Sequence, residues 1–379
     1  MNSQLHLPSS ECQLDVEALS RMFNDTTNSY KILFFRAVLL TIRKGQLKAQ
    51  RRIPLADITA KMLVHTWIIS GYYRLSFGSN DKLSSILSAL SLDTAGASLS
   101  APKFESRLED QIRESFGTID LAEIQRYAPY RLLRPFLTDE TRGLPDGRVN
   151  KKIQECAKSS FSSEKPVPYI IVDKGDSYIE LHEHWYACFA RHLKILMEWT
   201  DWHLTSYLQR RNPNAPAIAG KLYLPKRRRQ LHWQRRLWTT VFKQAQVRCI
   251  YSNEVISRDQ FHLDHYLPWS FVCHDEAWNL IPVAPTVNLV KSNAIPSPRY
   301  LSAFIDLQAR ALSVAKDYLS IKDWETVSLS YAAGLRIDSS DFSDLEPLRR
   351  SFQETIPSLT LIAKRMGFVS DWEFHSNER

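Results

Sequence analysis

Apolar positions along this chain fall mostly at helical spacing, and the exceptions are short. Residues 29–46, SYKILFFRAVLLTIRKGQ, predict a buried amphipathic helix. Lys31, Arg36, Arg43 and Lys44 interrupt the run well below the roughly 20 apolar residues a membrane span needs. Two more helices are expected, one from Leu55-Ala56-Asp57 through AKMLVHTWIISGYYRLSF and one led by Asn80-Asp81 into KLSSILSAL. FESRLEDQIRESF and AEIQRYAPYRLLRPFL extend the pattern to the turn-rich GLPDGR at 143–148. His65 lies within an apolar stretch and reads as core. Residues 1–158 are therefore expected to form an all-helical domain without a chemical motif.

The texture changes at 159–168, SSFSSEKPVP. YIIVDKGDSYIEL then has two apolar runs around Lys174-Gly175-Asp176, the pattern of a β-hairpin. A long helix is expected over 182–211, with Trp185, Trp199, Trp202 and Tyr207 as packing aromatics. His182-Glu183-His184 suggests a metal, but residues two apart do not share a helix face, so surface or capping histidines are expected. After a connector at 212–225, residues 221–248 hold nine Lys or Arg and no Asp or Glu. With Trp233 and Trp238 among its arginines, this stretch reads as a surface for phosphate backbones, contacted by Lys226, Arg227, Arg228, Arg229, Arg235 and Arg236. Helical periodicity returns after Pro298 and continues to the end. The division expected is 1–158 helical, 159–245 hairpin, long helix and basic connector, 246–300 a small catalytic element, and 301–379 a helical region wrapping it.

Composition changes this picture little. A hydrophobic content of 44% over 379 residues suffices for packed cores, and a formal net charge of +8 favours a polyanionic partner. The five cysteines, at 12, 156, 188, 249 and 273, form no regular framework, as expected of free thiols in a reducing compartment. The opening MNSQLHLPSSECQ has neither the basic region nor the apolar core of a secretion signal. A cytoplasmic protein with no membrane association is the expectation.

The chemistry concentrates at 248–296, RCIYSNEVISRDQFHLDHYLPWSFVCHDEAWNLIPVAPTVNLVKSNAIP. Asp264 and His265 are adjacent, offering a carboxylate for a divalent cation beside an imidazole base. Asn279 follows 14 positions after His265, Asn288 nine after that, and Lys291 three further on, where it shares a helical face with Asn288. FHLDHYL alternates enough for a strand, WNLIPV is a second apolar run, and Pro285 suits the first turn of a helix.

The pattern DH-(13)-N-(8)-N-x-x-K, with Pro268 after the His and Leu280-Ile281-Pro282 after the first Asn, resembles an HNH endonuclease. It is most similar to the HNH module of RNA-guided bacterial DNA endonucleases. The resemblance implies a ββα-metal element embedded in a mainly α protein. Asp264 and Asn288 then correspond to the metal ligands, His265 to the general base and Asn279 to the residue that pins the loop bearing the His. His262 is a candidate third ligand, since 262 and 264 point to the same side of a strand, and Lys291 joins the expected DNA contacts. Many HNH proteins carry a zinc on two C-x-x-C pairs; here only Cys249 remains and the other positions fall on Ser252, Ala284 and Val287, so no structural zinc is expected.

These readings lead to a Mg²⁺- or Mn²⁺-dependent endonuclease on double-stranded DNA, nicking as a monomer and serving bacterial defence against phage. A protein partner is expected on the N-terminal helical half. The alternatives are an inactive nucleic-acid-binding scaffold and an RNase with the same site.

Overall fold

A computed structural model describes residues 14–45, 51–94, 104–118, 124–173, 177–225, 230–338, 342 and 345–375. The chain divides into two compact units, Met1–Pro213 with Leu222–Lys226, and Asn214–Lys221 with Arg227–Arg379.

The first unit is built on helix α1 (Tyr30–Arg43), which buries Leu33, Phe35, Val38 and Leu39 among its residues. It packs against α2 (Leu55–Thr66) and α3 (Leu193–Arg211). Pro54 sits at the N-cap of α2, where its missing N–H costs no helical hydrogen bond. The helix expected to continue through residue 77 instead widens after Thr66 into a π-helical segment, Trp67–Tyr72. The long helix over 182–211 is also interrupted, at His192, between Glu183–Arg191 and α3. His182 caps the first piece by accepting a hydrogen bond from the His184 amide at 3.3 Å. Trp185, Trp199 and Tyr207 are buried as expected, whereas Trp202 is 61% exposed.

The region read as all-helical also supplies a strand. β1 (Arg52–Pro54) pairs antiparallel with β3 (Tyr178–Leu181), which pairs with β2 (Tyr169–Val172), in the order β1-β3-β2. Ile53 and Ile171 both lie opposite Ile179. This pairing, and a helix Asp146–Ser160 running across residue 158, place the expected boundary at 158/159 inside the first unit. Arg36 on α1 and Asp201 on α3 form a buried ion pair at 2.9 Å. The Arg36 guanidinium also lies 4.8 Å from the centre of the Tyr223 ring, whose hydroxyl donates to Asp201. His65 is buried, and that burial holds its pKa well below the usual histidine range.

In the second unit α4 (His232–Gln244) buries Leu237, Trp238 and Val241 and turns Arg235 and Arg236 to solvent. Strands β4 (His262–His265) and β5 (Leu280–Val283) form an antiparallel ribbon, with Asp264 opposite Ile281 and His265 opposite Leu280. Residues 278–279, expected to open the second strand, belong to a 3₁₀ turn (Ala277–Asn279) instead. The short helix α5 (Pro285–Lys291) follows directly, with Pro285 in its first turn.

Helices α6 (Leu301–Tyr318), α7 (Ile321–Leu335) and α8 (Leu345–Arg365) complete the unit. The ribbon shares their apolar core, where Tyr266 stacks on Phe304 at 4.0 Å and Phe271, Tyr331 and Phe352 are fully buried. Full burial of each such side chain contributes about 1.5–3 kcal/mol. Polar contacts fix the turn before β5. Ser330 accepts from the Ala277 amide at 2.8 Å, and Gln308 donates to the Leu280 carbonyl at 3.0 Å while accepting from the Tyr331 hydroxyl. Gly334 gives the Trp278 indole its room, since a Cβ there would sit 1.9 Å from Nε1. Among the described residues no helix is long and apolar enough to cross a membrane.

Candidate active site

Alternation along β4 sends Asp264 and His265 to opposite faces of the ribbon, and their surroundings differ accordingly. Asp264 is buried, with Oδ1 accepting from Lys291 Nζ at 3.0 Å and Oδ2 from the Tyr251 hydroxyl at 3.2 Å. Burial pushes its carboxyl pKa up, and the Lys291 ammonium opposes that shift. Burial likewise holds the Tyr251 hydroxyl well above its usual range, so it stays protonated and donates. Lys291 also donates to the His265 carbonyl at 2.7 Å. Its side chain, expected to contact DNA, is instead fully buried, with the ammonium on Asp264 and the His265 carbonyl.

His265 is nearly enclosed, its side chain 11% exposed, and its Nε2 lies 3.0 Å from Oδ1 of Asp275. Asp275 sits in the loop that opens at Cys273, a residue in the left-handed region at φ 57°. That loop is tied at several points. Gln234 of α4 donates to the Asp275 carbonyl at 2.8 Å, His274 Nδ1 accepts from the Glu276 amide at 3.3 Å, and the His274 ring packs 5.2 Å from Trp278.

Asn279 is completely buried. Its Oδ1 accepts from the Leu267 amide at 2.8 Å and its Nδ2 donates to the Leu267 carbonyl at 2.9 Å, so one side chain closes both backbone groups just beyond β4. Its own carbonyl accepts from the Tyr266 amide at 2.8 Å. Asn288, half-buried on α5, lies with Nδ2 3.4 Å from Nδ1 of the exposed His262.

Asp264, Asn288 and His262 thus come from adjoining elements; a carboxylate and an amide carbonyl are oxygen ligands of the kind hard divalent cations take, and an imidazole is a ligand of transition metals. Among the described residues no group of three or more His, Cys, Asp or Glu is placed to hold a metal ion. Cys249 is buried in the apolar core of the unit.

Arg235 donates to the Phe261 carbonyl at 3.4 Å and lies 4.7 Å over the Phe261 ring, while Arg236 pairs with Asp323 at 2.8 Å. Both remain exposed. Lys226, Arg227, Arg228 and Arg229 lie outside the described residues.

Tyr251, Gln234 and Asp275 were not singled out from the sequence. For Asp275 a signal existed, an acidic residue in the loop delimited by His265 and Asn279; the other two become neighbours of the site only through tertiary packing.

Residues 249–297 match the HNH endonuclease family. No curated protein and no solved structure matches the chain.

Proposed function

We propose that the chain is an endonuclease that hydrolyses phosphodiester bonds of DNA with a divalent cation, at a site made by Asp264, His265, Asn279 and Asn288. The observation carrying this reading is a coincidence. The stretch similar to HNH endonucleases is the one in which Asp264 and His265 leave one ribbon strand, Asn279 locks that strand's exit and Asn288 stands on the next helix. His265 would take the proton of the attacking water. Asp264 and Asn288, with His262, are the residues that would hold the cation, which supplies stabilisation of charge on the phosphate and the leaving oxygen. Asn279 keeps the backbone beyond His265 from shifting. Exposed Arg235 and Arg236 with Lys226, Arg227, Arg228 and Arg229 would meet phosphates without reading sequence. One such site engages one strand, so the expected product of a monomer is a nick with a 5′-phosphate and a 3′-hydroxyl. The setting that suits this chemistry is cytoplasmic defence against foreign DNA, as with the RNA-guided bacterial endonucleases that the motif resembles, with the first unit as the place for a protein partner.

One observation favours a second reading, a nucleic-acid-binding scaffold with a silent site: both Asp264 oxygens are already engaged, by Lys291 and Tyr251. Incubation of the purified protein with supercoiled plasmid, linear duplex and RNA, in Mg²⁺, Mn²⁺ or EDTA, separates the possibilities. Metal-dependent nicking of the plasmid is expected. Binding without cleavage in every metal would replace the enzyme with the scaffold, and cleavage confined to RNA would change the substrate.

A further inference from the structure

His265 has a carboxylate partner that the sequence pattern does not include. An ionised carboxylate only accepts hydrogen bonds, so the ring nitrogen 3.0 Å from Asp275 Oδ1 must carry a hydrogen. That nitrogen is Nε2. A neutral imidazole has one N–H, and the lone pair is then left on Nδ1. We propose that Asp275 is a positioning residue for His265: it selects the Nε2–H tautomer and holds the ring so that Nδ1 is the atom that takes the proton from water. This rests on the nuclease reading above, in which His265 is the base.

The setting of Asp275 suits that work. Its loop is held from three directions, by Gln234 on its carbonyl, by Ser330 on the Ala277 amide and by Trp278 packed against His274. The carboxylate therefore has a fixed place from which to orient a ring. Among the described residues His265 is the hydrogen-bond partner of the Asp275 carboxylate, so the contact is not a by-product of a larger ion-pair network. The arrangement also fits the charge that develops. When Nδ1 takes the proton the ring becomes a cation, and the carboxylate on Nε2 stabilises it without moving. The proton passes from water to Nδ1, the hydroxide forms a new bond to phosphorus as the bond from phosphorus to the 3′-oxygen breaks, and the leaving oxygen takes a proton from solvent to become the 3′-hydroxyl.

Two measurements test this, and the first needs no catalysis. In metal-free protein labelled with ¹⁵N-histidine, the His265 ring, assigned by comparison with His265→Ala, should show hydrogen on Nε2 and a bare Nδ1 when neutral; Asp275→Ala should give a mixture of tautomers. The opposite tautomer in the parent would overturn the proposal outright. The second is steady-state nicking of plasmid. Asp275→Ala and Asp275→Asn should lower kcat by about 10²-fold with KM little changed, and Asp275→Glu should recover part of the loss. Rates for Asp275→Ala and Asp275→Asn within about threefold of the parent, with His265→Ala inactive, would sink the positioning role and leave the nuclease reading standing. A parental rate in His265→Ala would remove the base assignment itself.

Discussion

At the scale of single residues, the buried Lys291–Asp264 pair sets the sharpest expectation. Both side chains are removed from solvent, so Lys291→Met strands a carboxylate in an apolar setting. Breaking such a pair costs about 3–5 kcal/mol, and chemical denaturation should show that loss even where no metal or DNA is present. Asn279→Ala follows the same logic. It leaves the Leu267 amide and carbonyl without partners, at about 1–3 kcal/mol for each buried group, and cleavage should fall through displacement of the backbone beyond β4. Hydrogen exchange at the Leu267 amide reads this directly: accelerated exchange is expected, and unchanged protection would deny the pinning role. As candidate site residues, Asp264, His265, Asn279 and Asn288 stand out in the sequence because they fall at set spacings along one short segment. The engagement of Lys291 does not, because its partners are Asp264 and the His265 carbonyl, more than twenty positions back along the chain.

At the scale of elements, legibility follows the range of the interactions. Helix α5 is announced by Pro285, and β4 by its alternation. By contrast, β1 is three residues ending in proline and exists only because β3 offers it an edge. The turn before β5 depends equally on distant partners, and α7 approaches Trp278 closely enough that Gly334 has no space for a side chain. Gly334→Ala must push helix and indole apart, since the added carbon would lie 1.9 Å from the ring. Overpacking of this kind costs about 1–3 kcal/mol, and Trp278 fluorescence should shift as its surroundings loosen. A variant with the parent's unfolding midpoint and emission would show that the contact yields freely.

At the scale of the whole molecule, each unit keeps a histidine whose pKa burial lowers, fully buried in the first unit and half-buried in the second. In the first it is His65, held well below the usual range by burial and then by Arg36. In the second, His274 is pushed down to about 4 by burial, with His265 adding to the shift and Asp275 opposing it. In an unfolded chain either ring takes a proton at about pH 6.5. Between that pH and the folded value the unfolded state binds more protons, so stability falls as the solution is acidified. The contribution is complete above about pH 6.5 and is lost as the pH drops toward about 4. Thermal unfolding midpoints should therefore decline from about pH 7 to about pH 5, and His274→Gln should flatten the decline; an unchanged slope would place the acid sensitivity elsewhere.

The contact between Ala277 and Ser330, 53 positions apart, also has a consequence in time. A ribosome releases the chain from its first residue onward, so the DH motif and both asparagines emerge while Ser330, Tyr331 and Gly334 are still being added. Until they arrive, the turn before β5 lacks its brace from α7, and the loop carrying Asp275 is tied at fewer points. A product ending before Ser330 would hold every residue of the motif and still lack the framework that places them. The cutting chemistry proposed above is thus expected only once Ser330 and the residues around it have been made, a delay set by where the brace lies in the chain.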